Sequence, residues 1–210
     1  MKTSVLVVGL GRFGAAAALE LERLGHEVLA VDRSEAAVND IAPDVTHAVQ
    51  LDASDEDALR SIGAADFDFA IIAISGATEA SIFATMALKN VIAKAASNLH
   101  GAILERVGAD RVVYPEREMG QRTAHSLAIP DVIDYLDVAP RFGIVKVHPP
   151  ASFVGRALKD IDLPGRLQVS PIVLRRGNDV IFNPHRDTVI ARGDELILMG
   201  SDEHLEQMAG

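Results

Sequence analysis

Apolar residues in the first half of the chain come in short continuous runs separated by helix-forming stretches. Val5–Val8, Glu27–Val31, residues 46–51, Phe69–Ile74, Val91–Ala95 and Arg111–Tyr114 read as strands. Their apolar character is unbroken rather than alternating, as in strands covered on both faces. Between them, residues 13–24, Glu35–Ile41, a segment opening at Ser54-Asp55-Glu56-Asp57 and closing at Gly63, Ala77–Lys89 and Asn98–Val107 read as helices. Gly25 stands where the first of these needs a cap. The βαβαβ rhythm predicts an α/β fold with a Rossmann-like, doubly wound parallel sheet. One join is too tight. A helix running to Lys89 leaves almost no connection to the strand at Val91, where such loops take about 2 to 6 residues. Either the helix ends earlier or residues are absent at this point.

The pattern changes after Pro115. Glu116–Ala128 reads as a further helix, followed by a stretch punctuated by Pro130 and Pro140. Gly143–Val147, Gln168–Leu174, Val180–Phe182 and Glu195–Met199 read as strands. Asn178-Asp179 reads as a turn, and Phe153–Ile161 and Asp202–Met208 as helices. These segments predict a small α+β module. The expected domains are 1–134, including the crossover helix, and 135–210.

Charge separates the two halves. The chain has 210 residues, with 20 Lys+Arg against 30 Asp+Glu. Residues 1–134 hold 11 basic and 20 acidic side chains, and residues 135–210 hold 9 and 10. An acidic first domain disfavours nucleic acid and anionic membrane as partners. The absence of cysteine removes disulfides, thiolate zinc sites, iron–sulfur clusters and thiol catalysis. No apolar run approaches the ~18 residues that span a bilayer. Arg12 interrupts the only stretch resembling a leader. The expectation is a cytoplasmic protein.

The sharpest motif is Gly9-Leu10-Gly11-Arg12-Phe13-Gly14, a GxGxxG between a predicted strand and a predicted helix. The first glycine permits a tight turn, the second admits phosphate to the backbone, and the third lets helix and strand pack closely. The free N–H groups of the helix start favour an anion. Asp32 ends the second strand, 18 residues beyond Gly14, where a carboxylate accepts hydrogen bonds from ribose hydroxyls. Arg33 follows directly, so a 2′-phosphate stays open. Asp52 falls at the same sheet edge, suited to the adenine end or to flanking a helix. Arg12 suits a terminal phosphate. Lys94 suits phosphate, and Glu116 a magnesium ion bridging phosphates; ordinary surface ion pairs are the plainer reading of both. No HExxH, GxSxG or Walker loop occurs. The seven histidines are scattered, show no metal-ligand spacing, and read mostly as surface or turn residues. No catalytic constellation emerges, and the expectation is a non-enzyme.

The segments VVGLGRFG, GHEVLAVD, VTHAVQLDAS, NVIAKA, LERVGADRVVYPEREMG and GDELILMGSDEHLEQM together resemble the RCK (regulator of potassium conductance) proteins. More narrowly, they resemble the cytosolic KtrA/TrkA-type subunits of bacterial potassium transporters. The resemblance implies a nucleotide-binding RCK domain, a crossover helix and a C-terminal RCK subdomain. It also implies dimers assembling into an octameric ring beneath a membrane-embedded potassium transporter, with ATP or ADP, or NAD or NADH, in the cleft. On this resemblance Gly9, Gly11, Arg12, Phe13 and Gly14 form the phosphate loop. Asp32 takes the ribose, Asp52 the adenine side, and Lys94 lies near the phosphates; Arg33, Ala53 and Ser75 belong to the same expected cofactor-binding set. Glu116 holds a divalent cation, Mg2+ or another, with the γ-phosphate. Two other functions stand beside this one: an NAD(H)-dependent oxidoreductase, and an RCK regulator of another cation channel or antiporter.

Overall fold

The computed structural model describes residues 2–128 and 131–208; Pro130, one of the two prolines read as punctuation, lies outside them. The chain forms two compact units, Met1–Pro115 and Glu116–Gly210.

The first unit is a six-stranded, wholly parallel sheet in the order β3-β2-β1-β4-β5-β6. Its strands are β1 (Ser4–Val8), β2 (Glu27–Asp32), β3 (His47–Gln50), β4 (Phe69–Ile72), β5 (Val91–Lys94) and β6 (Arg111–Val113). Helices α1 (Arg12–Arg23), α2 (Glu35–Ile41), α3 (Glu56–Ser61), α4 (Thr78–Ala87) and α5 (Asn98–Arg106) make the crossovers. Central β1 buries Val5 to Val8 completely or nearly so. One group of buried side chains holds Leu6, Val8, Leu29, Ile72 and Leu104, and another Val5, Val7, Val28 and Ala30. This two-sided burial is why the strands read as unbroken apolar runs.

Local chemistry sets the helix ends. Gly25, at φ +90°, closes α1: its N–H bonds Glu22 O, and His26 N–H bonds Leu21 O, a Schellman arrangement. Asp55 rather than Ser54 caps α3, accepting from Asp57 N and Ala58 N. The tight join resolves by early termination. The α4 helix stops at Ala87, Leu88 is extended, and Asn90 takes φ +52° with its Nδ2 donating to Asp68 O at 2.8 Å.

The second unit begins with α6 (Pro115–Ala128, its first residue belonging to the first unit). An antiparallel sheet follows, in the order β10-β9-β11-β8-β7. Its strands are β7 (Val132–Ala139), β8 (Phe142–Val147), β9 (Ser170–Arg176), β10 (Asp179–Phe182) and β11 (Glu195–Ser201). A single turn of helix, α7 (Leu158–Ile161), and α8 (Asp202–Met208) complete it. Val145, Val147, Leu174, Leu196, Leu198 and Leu205 form its core.

Three sequence expectations change here. Strand β7 was not anticipated: register shifts on either side of Asp134–Asp137 break its alternation, and it lies at an edge. The helix expected over Phe153–Ile161 is broken at Gly155, at φ +83°. Gly155 N–H bonds Ile190 O and Leu158 N–H bonds Thr188 O, so pairing with a distant segment replaces the helical ladder. The β9–β10 turn is Gly177-Asn178, because Asp179 already pairs with Arg176.

Polar groups in this unit are largely spent on one another. Arg176 meets Asp194, which is 1% exposed, and Asp194 also accepts from Ala191 N at 2.8 Å. The Arg176 guanidinium and the Ala191 N–H hold the Asp194 carboxyl below its usual range. Glu195 bridges Arg175 and Lys146, which hold its carboxyl down to about 2. Tyr135 donates to Asp202 Oδ1 at 2.7 Å, stacks on His125 of α6 and fills the space where Gly143 has no Cβ. Arg122 of α6 forks onto Asp134 of β7.

Candidate functional site

In the first unit the chain order reverses between β1 and β4, and ligands of open α/β sheets bind in the crevice beyond the strand ends at such a point. A cleft of about 740 Å³ lies there. Its walls come from the ends of β1 (Val8, Gly9), β2 (Val31, Asp32), β3 (Leu51, Asp52) and β4 (Ala73, Ile74, Ser75) and from the first turns of α4.

The three loop glycines do three different jobs. At Gly9, φ is +94°, and a Cβ would lie 2.9 Å from the Ala73 carbonyl carbon. At Gly14 a Cβ would lie 1.8 Å from Gly9 O and 2.9 Å from the Ala73 Cβ, so only glycine lets α1 pack this closely. Gly11 lines the cleft in an ordinary backbone conformation (φ −67°, ψ −177°), and a Cβ there would meet nothing within 4 Å. The protein itself tolerates a side chain at Gly11; what glycine keeps clear is the cleft. Gly11 is also the N-cap of α1, without a side-chain cap and with no acid in the first turn. The N–H groups of that turn are therefore available to an anion. These features fit a phosphate-bearing ligand.

Asp32 is aimed by the backbone. Its Oδ2 accepts from Leu10 N at 2.6 Å and its Oδ1 from Ser34 N at 2.8 Å, which locks the acid against the glycine loop. Gln50 Nε2 donates to Arg33 O and steadies the next residue. Asp52 Oδ1 accepts from both the backbone and the hydroxyl of Ser54, at 2.9 and 2.7 Å. These bonds, helped by the charge of Arg33, hold the Asp52 carboxyl below its usual range. Lys94, 8% exposed at the end of β5, donates from Nζ to Ser75 Oγ at 3.1 Å.

Among the residues assigned from the sequence, Gly9, Gly11, Asp32, Arg33, Asp52, Ala53 and Ser75 line this one cleft. Gly14 is packed beneath it, and Lys94 reaches it through Ser75. Arg12 and Phe13 lie on the first turn of α1 outside the lining residues, Arg12 exposed and Phe13 half-buried. Glu116 is exposed in the first turn of α6, in the second unit. Among the described residues no group of three or more histidines or carboxylates is suited to holding a metal ion. Sequence reading did not single out Ser34, Ser54, Thr78 or Glu79, which also line the cleft. Their signal is position: Ser34 caps α2, Thr78 and Glu79 open α4, and Ser54 lies in the β3–α3 connection, bonded to Asp52. The histidines, read mostly as surface or turn residues, include one exception, His100, which is 5% exposed.

A parallel 3-2-1-4-5-6 sheet with a glycine loop at its first turn, joined to a small antiparallel module, defines a Rossmann-type two-domain protein of the RCK class. Family comparison agrees: residues 5–115 match the TrkA-N domain and residues 143–209 the TrkA-C domain. The chain is 36% identical to Ktr system potassium uptake protein C of Bacillus subtilis over 206 residues, 96% of this chain and 93% of that protein. It is 34% identical to Ktr system potassium uptake protein A of the same organism, with the same shares covered. The Vibrio alginolyticus protein A is 31% identical, over 95% of this chain and 93% of that protein. The chain belongs to the KtrA/TrkA family of RCK proteins.

Solved structures share the fold. The GsuK RCK domain superposes with a TM-score of 0.68 at 17% identity; the match covers all of this chain and 48% of that one, so this chain spans about half its length. The TrkA-N domain of the Escherichia coli inner membrane protein ybaL matches 60% of this chain and 97% of that domain, with a TM-score of 0.52 at 23% identity. No helix among the described residues is long and apolar enough to cross a membrane.

Proposed function

We propose that this protein is a nucleotide-binding regulatory subunit of a membrane potassium-uptake system. The carrying observation is the cleft at Gly9, Gly11 and Asp32, built on a chain of the Ktr family. Phosphates of an adenine nucleotide sit at the start of α1 over Gly11, the ribose hydroxyls on Asp32, and the base beside Asp52 and Ala53. ATP or ADP is the leading ligand class, with NAD and NADH next. Structures described as GsuK bound to NAD and GsuK bound to ADP carry such ligands on this fold. A ligand shifts a conformational equilibrium only by its differential affinity for the two states. Arg12 and Lys94, near the terminal phosphates, supply a difference between ATP and ADP. Glu116 is the acid for a divalent cation travelling with ATP. The protein works as dimers assembled into an octameric ring, in the cytoplasm, against the inner face of the membrane through its transporter partner. It regulates rather than catalyses.

The test is thermal unfolding of the purified chain with ATP, ADP, AMP, NAD and NADH, each with and without magnesium. A ligand at 100 times its Kd stabilises by about 2.7 kcal/mol. A magnesium-dependent shift with ATP that differs from the shift with ADP supports the reading. Loss of magnesium dependence in Glu116→Gln supports the role of that acid. No shift with any nucleotide sinks it. A shift with NADH alone turns attention to a redox ligand.

A further inference from the structure

His100 is the one buried histidine, and the nucleotide reading leaves it without a task. It stands three residues into α5, whose N-cap is Ser97. Ser97 Oγ accepts from His100 N at 3.1 Å, and His100 Nδ1 in return accepts from Ala96 N at 3.2 Å. This is a capping box displaced by one residue: the N3 side chain, a histidine where Glu or Gln is usual, reaches past the N-cap to the N–H of the residue before it. The bond from Ala96 makes Nδ1 the unprotonated nitrogen, so Nε2 carries the hydrogen. Nε2 is buried and finds no hydrogen-bond partner among the described residues. An unmet buried N–H is a standing cost, and a Gln or Glu at this position would tie the same turn through the N-cap N–H without it. The turn that His100 ties down, Ala96-Ser97, is joined through Ala95, itself bonded to Val113 O, to Lys94, whose Nζ reaches Ser75 on the cleft wall.

We propose that His100 is a positioning residue for the nucleotide cleft: as a neutral acceptor it fixes the β5–α5 turn and through it Lys94, and on protonation it releases that turn and weakens nucleotide binding. This rests on the nucleotide reading of the cleft and adds proton control to it. A proton on Nδ1 turns the acceptor into a donor facing the Ala96 N–H, and puts a cation at the positive end of a helix. The elements packed against α5 are α4, which carries Glu79, and β6, which carries Arg111, with Tyr114 just beyond it lying against Gly101; Lys94 ends the preceding strand, and α5 itself adds Glu105 and Arg106. Burial alone accounts for the lowering of the imidazole below its usual 6.5. The unfolded chain therefore takes up this proton first, and the contribution is lost as pH falls below 6.5.

The experiment is ADP binding to the full chain by calorimetry between pH 5.5 and 8, for wild type, His100→Gln, His100→Ala and His204→Gln. His204 makes a similar contact in the second unit, its Nδ1 2.8 Å from the Ser201 hydroxyl, and serves as the control. His100→Gln should match wild type at pH 8 and bind about three- to tenfold more tightly than it at the acid end of the range. His100→Ala should be weaker throughout, and His204→Gln should follow wild type. Parallel pH profiles for wild type and His100→Gln overturn the proposal, as does wild-type affinity in His100→Ala. If no variant binds ADP at pH 8, ADP is not the cleft's ligand and the positioning role toward it fails. The ligand-free unfolding midpoint of wild type, relative to His100→Gln, then still shows whether the turn itself responds to protons.

Discussion

The two sheets dispose of their polar groups in opposite ways. In the parallel sheet, the strand ends and helix starts converge on one edge, and α1 starts there on Gly11 with no side-chain cap. In the antiparallel sheet, the ladders and the Arg176–Asp194, Arg175–Glu195–Lys146 and Arg122–Asp134 pairs satisfy their members mutually. An incomplete polar inventory marks a site for a ligand; a closed one marks a scaffold. The acidic excess of the first domain fits this contrast, since a site that reads phosphate through backbone dipoles needs few cations.

Substitutions test the contrast, and the largest effect belongs to Gly14→Ala. Its Cβ would collide with Gly9 O at 1.8 Å; we expect about 3 kcal/mol of destabilisation in urea unfolding, with loss of ADP binding. Arg176→Ala comes next. It strips the ion-pair partner from a carboxylate that is 1% exposed, costing about 2 kcal/mol and leaving ADP affinity unchanged. Because the Asp194 carboxyl is held low in the native protein, its contribution is present above pH 3.8 and lost as pH falls below that value. The variant's stability should be flatter across this acid range. Asn90→Ala removes the bond to Asp68 O and places a Cβ-bearing residue without a polar side chain at φ +52°, for about 1 kcal/mol. The smallest effect on stability is also the most diagnostic. Gly11→Ala should stay within about 0.5 kcal/mol of wild type yet lose its thermal shift with nucleotide. Unimpaired binding in Gly11→Ala would break the distinction between glycines that serve the fold and the one that serves the ligand.

Much of the first unit was legible because its signals are local. The glycine loop, Asp32 and the helix caps each operate within a few residues. The Lys94–Ser75 bond joins positions 19 apart on different connections, and nothing in either segment announces it. His100 was not singled out because a lone histidine carries no spacing of its own; the Ser-x-x-His pattern with Ser97 was the available sign. Strand β7 escaped because its bulges erase the alternation a strand is recognised by. The tight join after Lys89 was visible as a conflict, but its resolution required an extended Leu88 and a left-handed Asn90, which no periodicity encodes.

The placement of β1 has a consequence for synthesis. It pairs on one side with β2 and on the other with β4, Val5 lying beside Phe69. A ribosome adding about 5 to 20 residues per second makes that second neighbour on the order of 3 to 13 seconds after the first strand has emerged. Throughout that interval the most apolar strand of the nascent chain has one edge open, and a chaperone that shields Val5–Val8 would be most useful then.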